Sequence, residues 1–195
     1  GSMTIDIDPS QVQLDNDSSE WVTVTVEVPE GKASDKYCWE IEGVVSNDQN
    51  PNGSASDVEE FDLNVPELKE CDLSLSKTSM VIEPDESGTL IATFSNQGNA
   101  DWTLNVGFTG SQSTWASVDG ASSGTLLYDN GNGEKEFTIE ITPDDSVEAN
   151  SQKIITIQGK DGGIEKCNSD VSVTVGQSRG ATMSLGNTAL YNVEP

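Results

Sequence analysis

Oxygen-bearing side chains recur at alternate positions from Asp48 to Glu59: Asp48, Asn50, Asn52, Ser54 and Ser56, with Gly53 among them and Glu59 closing the series. A calcium loop needs that order. The hard cation takes roughly six to eight oxygens, a glycine at the sixth position permits a sharp turn, and the final Glu chelates through both oxygens. The flanks point elsewhere: Trp39 to Val45 and Glu60 to Val65 alternate as strands, Pro51 interrupts the loop, and Ala55 stands where a branched apolar residue is usual. The expected site is thus a calcium loop slung between two strands, and its competitor is a long polar strand connection. In that connection Asn52 heads the sequon Asn52-Gly53-Ser54, as Asn16 heads Asn16-Asp17-Ser18, and either could carry a glycan. A second acidic turn, Asp129 to Glu134, has poorer ligand spacing. No cofactor is required by the sequence, and calcium is the one candidate.

Other chemistry has little footing. The chain has no histidine, so a Ser or Cys nucleophile lacks its commonest general base, and Arg179 is the only arginine. Paired carboxylates carry no diagnostic weight among 34 acidic residues. The expected protein is not an enzyme. Of the tryptophans, Trp21, Trp39 and Trp102 fall within or beside alternating strands, where a core indole is the commoner state, whereas Trp115 follows the loop-like Gly110-Ser111-Gln112-Ser113-Thr114. Trp115 is therefore the candidate to test for ligand contact, against core or edge packing as the commoner state of an indole. Cys38, Cys71 and Cys167 are too dispersed for a zinc cluster and suit one disulfide plus one thiol. In a sandwich whose first and last strands run parallel, Cys71 and Cys167 begin neighbouring strands, and that pairing is expected. The rival is Cys38 with Cys71, a staple at the junction of two units. Either places the protein outside the reducing cytosol, secreted or at a cell surface.

Charge narrows the partners. With 34 Asp and Glu against 9 Lys and Arg, the formal net charge is -25. Nucleic acid and anionic membrane surfaces need a basic footprint, so neither is an expected partner. No apolar run approaches the roughly 18 residues of a membrane span, and direct membrane insertion is not expected. The acidic coat suits salty water, where charges are screened beyond about 8 Å or less.

The elements that must position these residues are all strands. Trp21 to Val28 alternates apolar with polar residues, Tyr37 to Gly43 and Glu60 to Val65 follow, and Pro66 stops the last. Residues 1–66 are thus expected to form a small or partial β unit of four or five strands. From Cys71 onward seven or so short strands are separated by turn clusters, among them Asn96-Gln97-Gly98-Asn99 and Asp161-Gly162-Gly163. That spacing predicts a complete two-sheet sandwich over residues 67–177. The fold class is all-β: tandem immunoglobulin-like sandwiches, one complete and one small or partial.

Two internal echoes set the repeat. Cys71 to Pro84 returns as Ala181 to Pro195: Thr78 matches Thr188, Met80-Val81-Ile82 matches Leu190, Tyr191 and Val193, and both end in Glu-Pro. Residues 178–195 are expected to open a further repeat and to pair with a sheet edge, in the same chain or in a neighbouring molecule. Leu14 to Pro29 also parallels Tyr128 to Pro143, and Trp39-Glu40-Ile41-Glu42-Gly43 matches Ile155-Thr156-Ile157-Gln158-Gly159. Gly1 and Ser2 ahead of Met3 read as a vector-derived scar, so the natural chain is expected to extend beyond both ends.

The acidic turn Pro84-Asp85-Glu86-Ser87-Gly88, the strand Thr89 to Ser95 and the turn Asn96-Gln97-Gly98-Asn99 resemble the CARDB-type immunoglobulin-like repeats of large prokaryotic, often archaeal, surface and secreted proteins. The resemblance covers roughly Asp72 to Val175. It implies a seven-stranded sandwich with structural or adhesive use; the first unit lacks the Asn-x-Gly-Asn turn. The expected function is a spacer, adhesion or surface-lattice module whose partners are neighbouring repeats. The alternative is an auxiliary module of a secreted hydrolase, binding glycan through an exposed aromatic. A calcium loop at Asp48 to Glu59 would raise the melting midpoint in calcium over that in chelator at matched ionic strength. An unchanged midpoint removes the cation.

Overall fold

The computed structural model describes residues 1–177 apart from 16, 48, 49, 85, 130–132 and 145, with the backbone alone at 46, 47 and 50–54. Thirteen strands run through the described residues and no α-helix does. Four lie in the first unit: β1 (Thr4–Asp8), β2 (Thr23–Glu27), β3 (Asp35–Asn47) and β4 (Asn50–Val65). Nine form the sandwich: β5 (Cys71–Leu75), β6 (Ser79–Ile82), β7 (Gly88–Asn96), β8 (Trp102–Thr109), β9 (Ala116–Val118), β10 (Ser123–Leu126), β11 (Glu134–Ile141), β12 (Gln152–Asp161) and β13 (Ile164–Val175).

The sandwich is built from period-two alternation. In β11, Phe137, Ile139 and Ile141 are buried while Glu134, Lys135, Glu136 and Thr138 face water. One sheet has the order β5-β7-β11-β9 and the other β10-β8-β12-β13-β6. Their inner faces meet in one buried cluster, Phe94, Phe137 and Ile139 of the first against Leu104, Ile155, Ile157, Val171 and Val173 of the second; Phe94 and Phe137 touch edge to face within the first sheet, 5.7 Å between centroids. The chain enters on one sheet as β5, antiparallel to β7, then crosses to the other as β6, which runs parallel to β13 with Met80 opposite Val173. This stretch, from Cys71 to Ile82, closes one edge of each sheet.

Cys71 and Cys167 are bonded across the two sheets, with Cα atoms 5.4 Å apart. Since Cys71 is taken, the rival pairing with Cys38 is excluded, and Cys38 is an exposed free thiol. Cross-linking a loop of that length, 96 residues apart in sequence, stabilises by roughly 4–5 kcal/mol in the chain-entropy model. Gly159 lies opposite Cys167 in the β12–β13 ladder. A Cβ there would stand 2.8 Å from Cys167 Sγ and 2.9 Å from both Leu104 Cδ1 and Phe94 Cε1.

The first unit is two ribbons. β1 pairs with β2, Ile5 opposite Val26 and Ile7 opposite Val24, and β3 pairs with β4, Trp39 opposite Phe61 and Tyr37 opposite Leu63. Each ribbon has one apolar face; on the second, Trp39 stacks on Tyr37 and on Phe61 at 6.1 and 5.6 Å. No described residue of this unit is fully buried. The sequence echo of β2 with β11 needs a shift of one residue. The linear match sets half-buried Val24 against Thr138, which faces solvent, whereas the shift sets Val24 and Val26 against buried Ile139 and Ile141. A one-residue slip exchanges the faces of a strand.

Because the space under the disulfide is filled by buried core atoms, Gly159→Ala is expected to cost about 1–3 kcal/mol in urea unfolding. A variant as stable as the wild type would mean that the two sheets are not packed as closely as described.

Candidate functional site

The turn between β7 and β8 is set by the buried amide of Asn96. Its Nδ2 donates to the carbonyls of Ala100 (2.9 Å) and Leu127 (3.2 Å), and its Oδ1 accepts from the Gly98 amide (2.8 Å). A buried amide satisfied on both ends holds the turn in one shape. The turn in turn presents Asn99 to the connection between the units.

Asn99 grips that connection with nearly all it has. Its backbone N–H donates to the Leu68 carbonyl (3.0 Å), its Oδ1 accepts from the Leu68 amide (2.7 Å), and its Nδ2 donates to the Pro66 carbonyl (3.0 Å). Its own carbonyl accepts from the Ser34 amide of the first unit (3.0 Å). Alongside, the Gln97 amide donates to the Glu70 carbonyl (3.0 Å). Gly98 lets the connection lie flat on the turn: a Cβ at 98 would fall 2.0 Å from the Leu68 oxygen, which no backbone could tolerate without moving. From the far side the Tyr128 hydroxyl donates to the Gly31 carbonyl, and the Tyr128 amide donates to Asp101 Oδ1 (2.6 Å). Lys69 reaches Glu67 at 3.3 Å and Asp161 at 3.7 Å, and its hydrogen bond to Glu67 together with the charge of Asp161 raises the ammonium pKa. The arrangement is a joint of amides and carbonyls. It contains no nucleophile, and what it can do is fix one unit's position against the other.

In the sequence Asn96-Gln97-Gly98-Asn99 reads as a turn and as part of the resemblance to surface repeats, not as a joint. Its second signal was the pairing of two Asn with one Gly: more hydrogen-bonding capacity than a plain turn consumes.

The residues expected to bind calcium are strung along an extended strand. Asp48 lies outside the described residues, and the side chains of Asn50, Asn52 and Ser54 are not described. Asn50 to Glu59 belong to β4, with Ser56 opposite Val44 and Glu59 opposite Ile41, so the connection expected over 50–59 is strand instead. Side chains of an extended strand alternate, and Ser56 and Glu59, three residues apart, project to opposite faces. The structure does not bring them together. Of the second acidic turn, 130–132 lie outside the described residues. Among the described residues no three His, Cys, Asp or Glu side chains converge in metal-holding geometry.

Trp115 is a correction. It ends a 3₁₀ turn, Ser113–Trp115, and is buried at 8% exposure in the sandwich core, with no face open to a ligand. The loop-like residues before it cap the core. Trp102 is buried as expected, Trp39 is half-buried, and Trp21, expected in the core, is 93% exposed because β2 begins only at Thr23. The self-pairing expected of residues 181–195 lies outside the described residues.

Cys38 stands opposite Asp62 in the β3–β4 ladder. A hydrogen bond to the Asp62 carboxylate pushes the thiol pKa up, while the same bond and that from Lys36, which lies 2.6 Å away, hold Asp62 below the ordinary carboxylate value.

No family model matches the chain, and no curated protein matches it significantly. Among solved structures it is similar to domains 4 and 5 of the S-layer protein SbsC, at 17% identity and a TM-score of 0.38, over 84% of this chain and 89% of that one. It is also similar to SbsC domains 1-6, at 18% identity and 0.41, over 92% of this chain and 28% of that one. A third likeness is the E. coli chaperone DraB, at 16% identity and 0.35, over 53% of each chain. At such scores these likenesses add nothing to the class that the strand order itself defines, an all-β immunoglobulin-like sandwich preceded by two β ribbons.

A raised thiol pKa leaves less thiolate at a given pH, so Cys38 should alkylate slowly at pH 8. Asp62→Asn removes the acceptor, lowers the pKa and should speed iodoacetamide labelling; an unchanged rate would show that Asp62 does not hold the thiol.

Proposed function

We propose that this chain is a non-enzymatic, extracellular immunoglobulin-like repeat module that acts as a spacer or surface-lattice element, holding successive units at a set angle. The observation that carries the reading is the joint: one residue, Asn99, makes four hydrogen bonds to the connection and to the first unit. Inter-domain contacts of ordinary size leave domains free to move. A connection bonded along its length, with a glycine beneath it, transmits orientation instead. The inter-sheet disulfide and the acidic composition fit an oxidising setting outside the cytosol, and the resemblance to surface repeats supports the same role. The alternative, a glycan-binding module beside a hydrolase, does not find its contact at Trp115, whose indole is buried; the exposed indole is that of Trp21.

Asn99→Ala removes the bonds to the Leu68 amide and the Pro66 carbonyl, each of which contributes about 0.5–1.5 kcal/mol. In dilute solution small-angle X-ray scattering should change from that of a single shape to that of a broad distribution with a larger radius of gyration. Near-ultraviolet circular dichroism of the sandwich should be unaltered. Scattering indistinguishable from the wild type would sink the fixed-joint reading.

A further inference from the structure

The first unit holds four described strands, paired as two ribbons. Its long β3–β4 hairpin corresponds to β12–β13. Trp39 and Ile41 match Ile155 and Ile157 in sequence and in the face they present, and through the two ladders Phe61 then corresponds to Val171 and Leu63 to Val173. In the sandwich the outer edge of β13 is occupied by β6, and the opposite sheet is edged by β5. In the first unit β4 has β3 on one side and no strand on the other among the described residues. On the other ribbon of this unit the apolar face of β1 stays wet: Ile5 is 41% and Ile7 36% exposed.

The piece that fills this place in the sandwich, Cys71 to Pro84, has a second copy in the chain, Ala181 to Pro195. Leu73 and Ile82, buried between the sheets, correspond to Met183 and Val193, and half-buried Leu75 and Met80 correspond to Leu185 and Leu190. Charge agrees. Arg179 is the only charged residue between Gly176 and Glu194, in a chain that is 22% charged, so this segment approaches the acidic first unit without repulsion. We propose that residues 181–195 complete the first unit of a second copy of this chain, adding a strand parallel to β4 with Leu190 opposite Leu63 and Tyr191 opposite Asn64. The inference rests on the repeat-module reading and deepens it by naming the partner.

Reach decides between a second copy and the same chain. The first unit meets the sandwich at the Cys71 end, where Asn99 holds Ser34, Pro66 and Leu68. β13 runs away from that end, so Val175 lies about 26 Å beyond Cys167 at strand rise. Residues 178–180, the link from Gln177 to Ala181, span about 15 Å at most. Folding back would spend the first half of the segment as linker and leave Met183 and Leu185 unplaced. A donor at one end and an acceptor at the other make a head-to-tail interface, which propagates as an open chain.

Sedimentation velocity of the full chain should show oligomers that lengthen with concentration, and Met183→Asp with Leu190→Asp should abolish them. Wild type that stays monomeric, or a double variant that assembles equally, overturns the proposal. Register is tested in a Cys38→Ser background by mixing a Leu63→Cys copy with a Leu190→Cys copy under oxidation, which should yield a cross-linked dimer. No cross-link in an assembling mixture overturns the register, and a cross-link within single molecules carrying both cysteines at high dilution overturns the second copy in favour of fold-back. The monomeric double variant still reports on the Asn99 joint by scattering, so failure of assembly and failure of the fixed-joint reading remain separable.

Discussion

Every buried apolar side chain among the described residues belongs to the stretch from Leu73 to Val175, and nearly all of them pack in one cluster between the two sheets. One core therefore has to order two units, because burial of apolar surface is the main driving force for folding and a short stretch without a core is at best marginal. Among the described residues the first unit is tied to that core chiefly at the turn that Asn96 fixes from within and Asn99 extends outward. The joint and the missing core are two sides of one constraint. A unit that cannot hold itself needs its position imposed from outside.

Much of this was legible in the alternation of side chains. The sandwich strands fall within a few residues of where periodicity puts them, since a half-buried strand shows its face in every second residue, as β11 does with Phe137, Ile139 and Ile141. Where the chain is polar on both faces the signal vanishes. β4 continues back to Asn50 through Ser54, Ser56 and Asp57, held by its ladder with β3, and there the oxygens suggested a loop. β13 likewise begins at Ile164, ahead of the apolar run, because Glu165 to Asn168 pair with β12 without being buried. The Cys71–Cys167 bond followed from the geometry of first and last strands in a sandwich, a fold-level constraint that does not depend on local pattern. For the tryptophans the local pattern was an incomplete guide. Trp115 is covered by tertiary contacts of a short 3₁₀ turn, and Trp21 lies outside the strand that its alternation seemed to include.

The joint was invisible for a different reason. Its turn chemistry is ordinary, and only the path of residues 66–70 across it reveals that Asn99 spends its amide on another segment. Gly98 shows the same thing: turn propensity already accounts for a glycine there, whereas its close approach to the Leu68 carbonyl is a fact of packing.

Charge explains why such a joint is made of neutral groups. On a chain of net charge -25, contacts between exposed ions vary with salt, and pairs near the surface contribute little. Among the described residues the ion pairs are few, and Lys69, the cation at the joint, is shared between Glu67 and Asp161. Amide-to-carbonyl hydrogen bonds carry no net charge and keep their geometry across ionic strengths. Repulsion between acidic surfaces disfavours casual association of units, and the contacts that hold them must come from polar groups matched atom to atom or from apolar segments poor in charge. The Asn99 grip is of the first kind. The stretch from Gln177 to Val193, with Arg179 as its sole charge, has the composition required of the second.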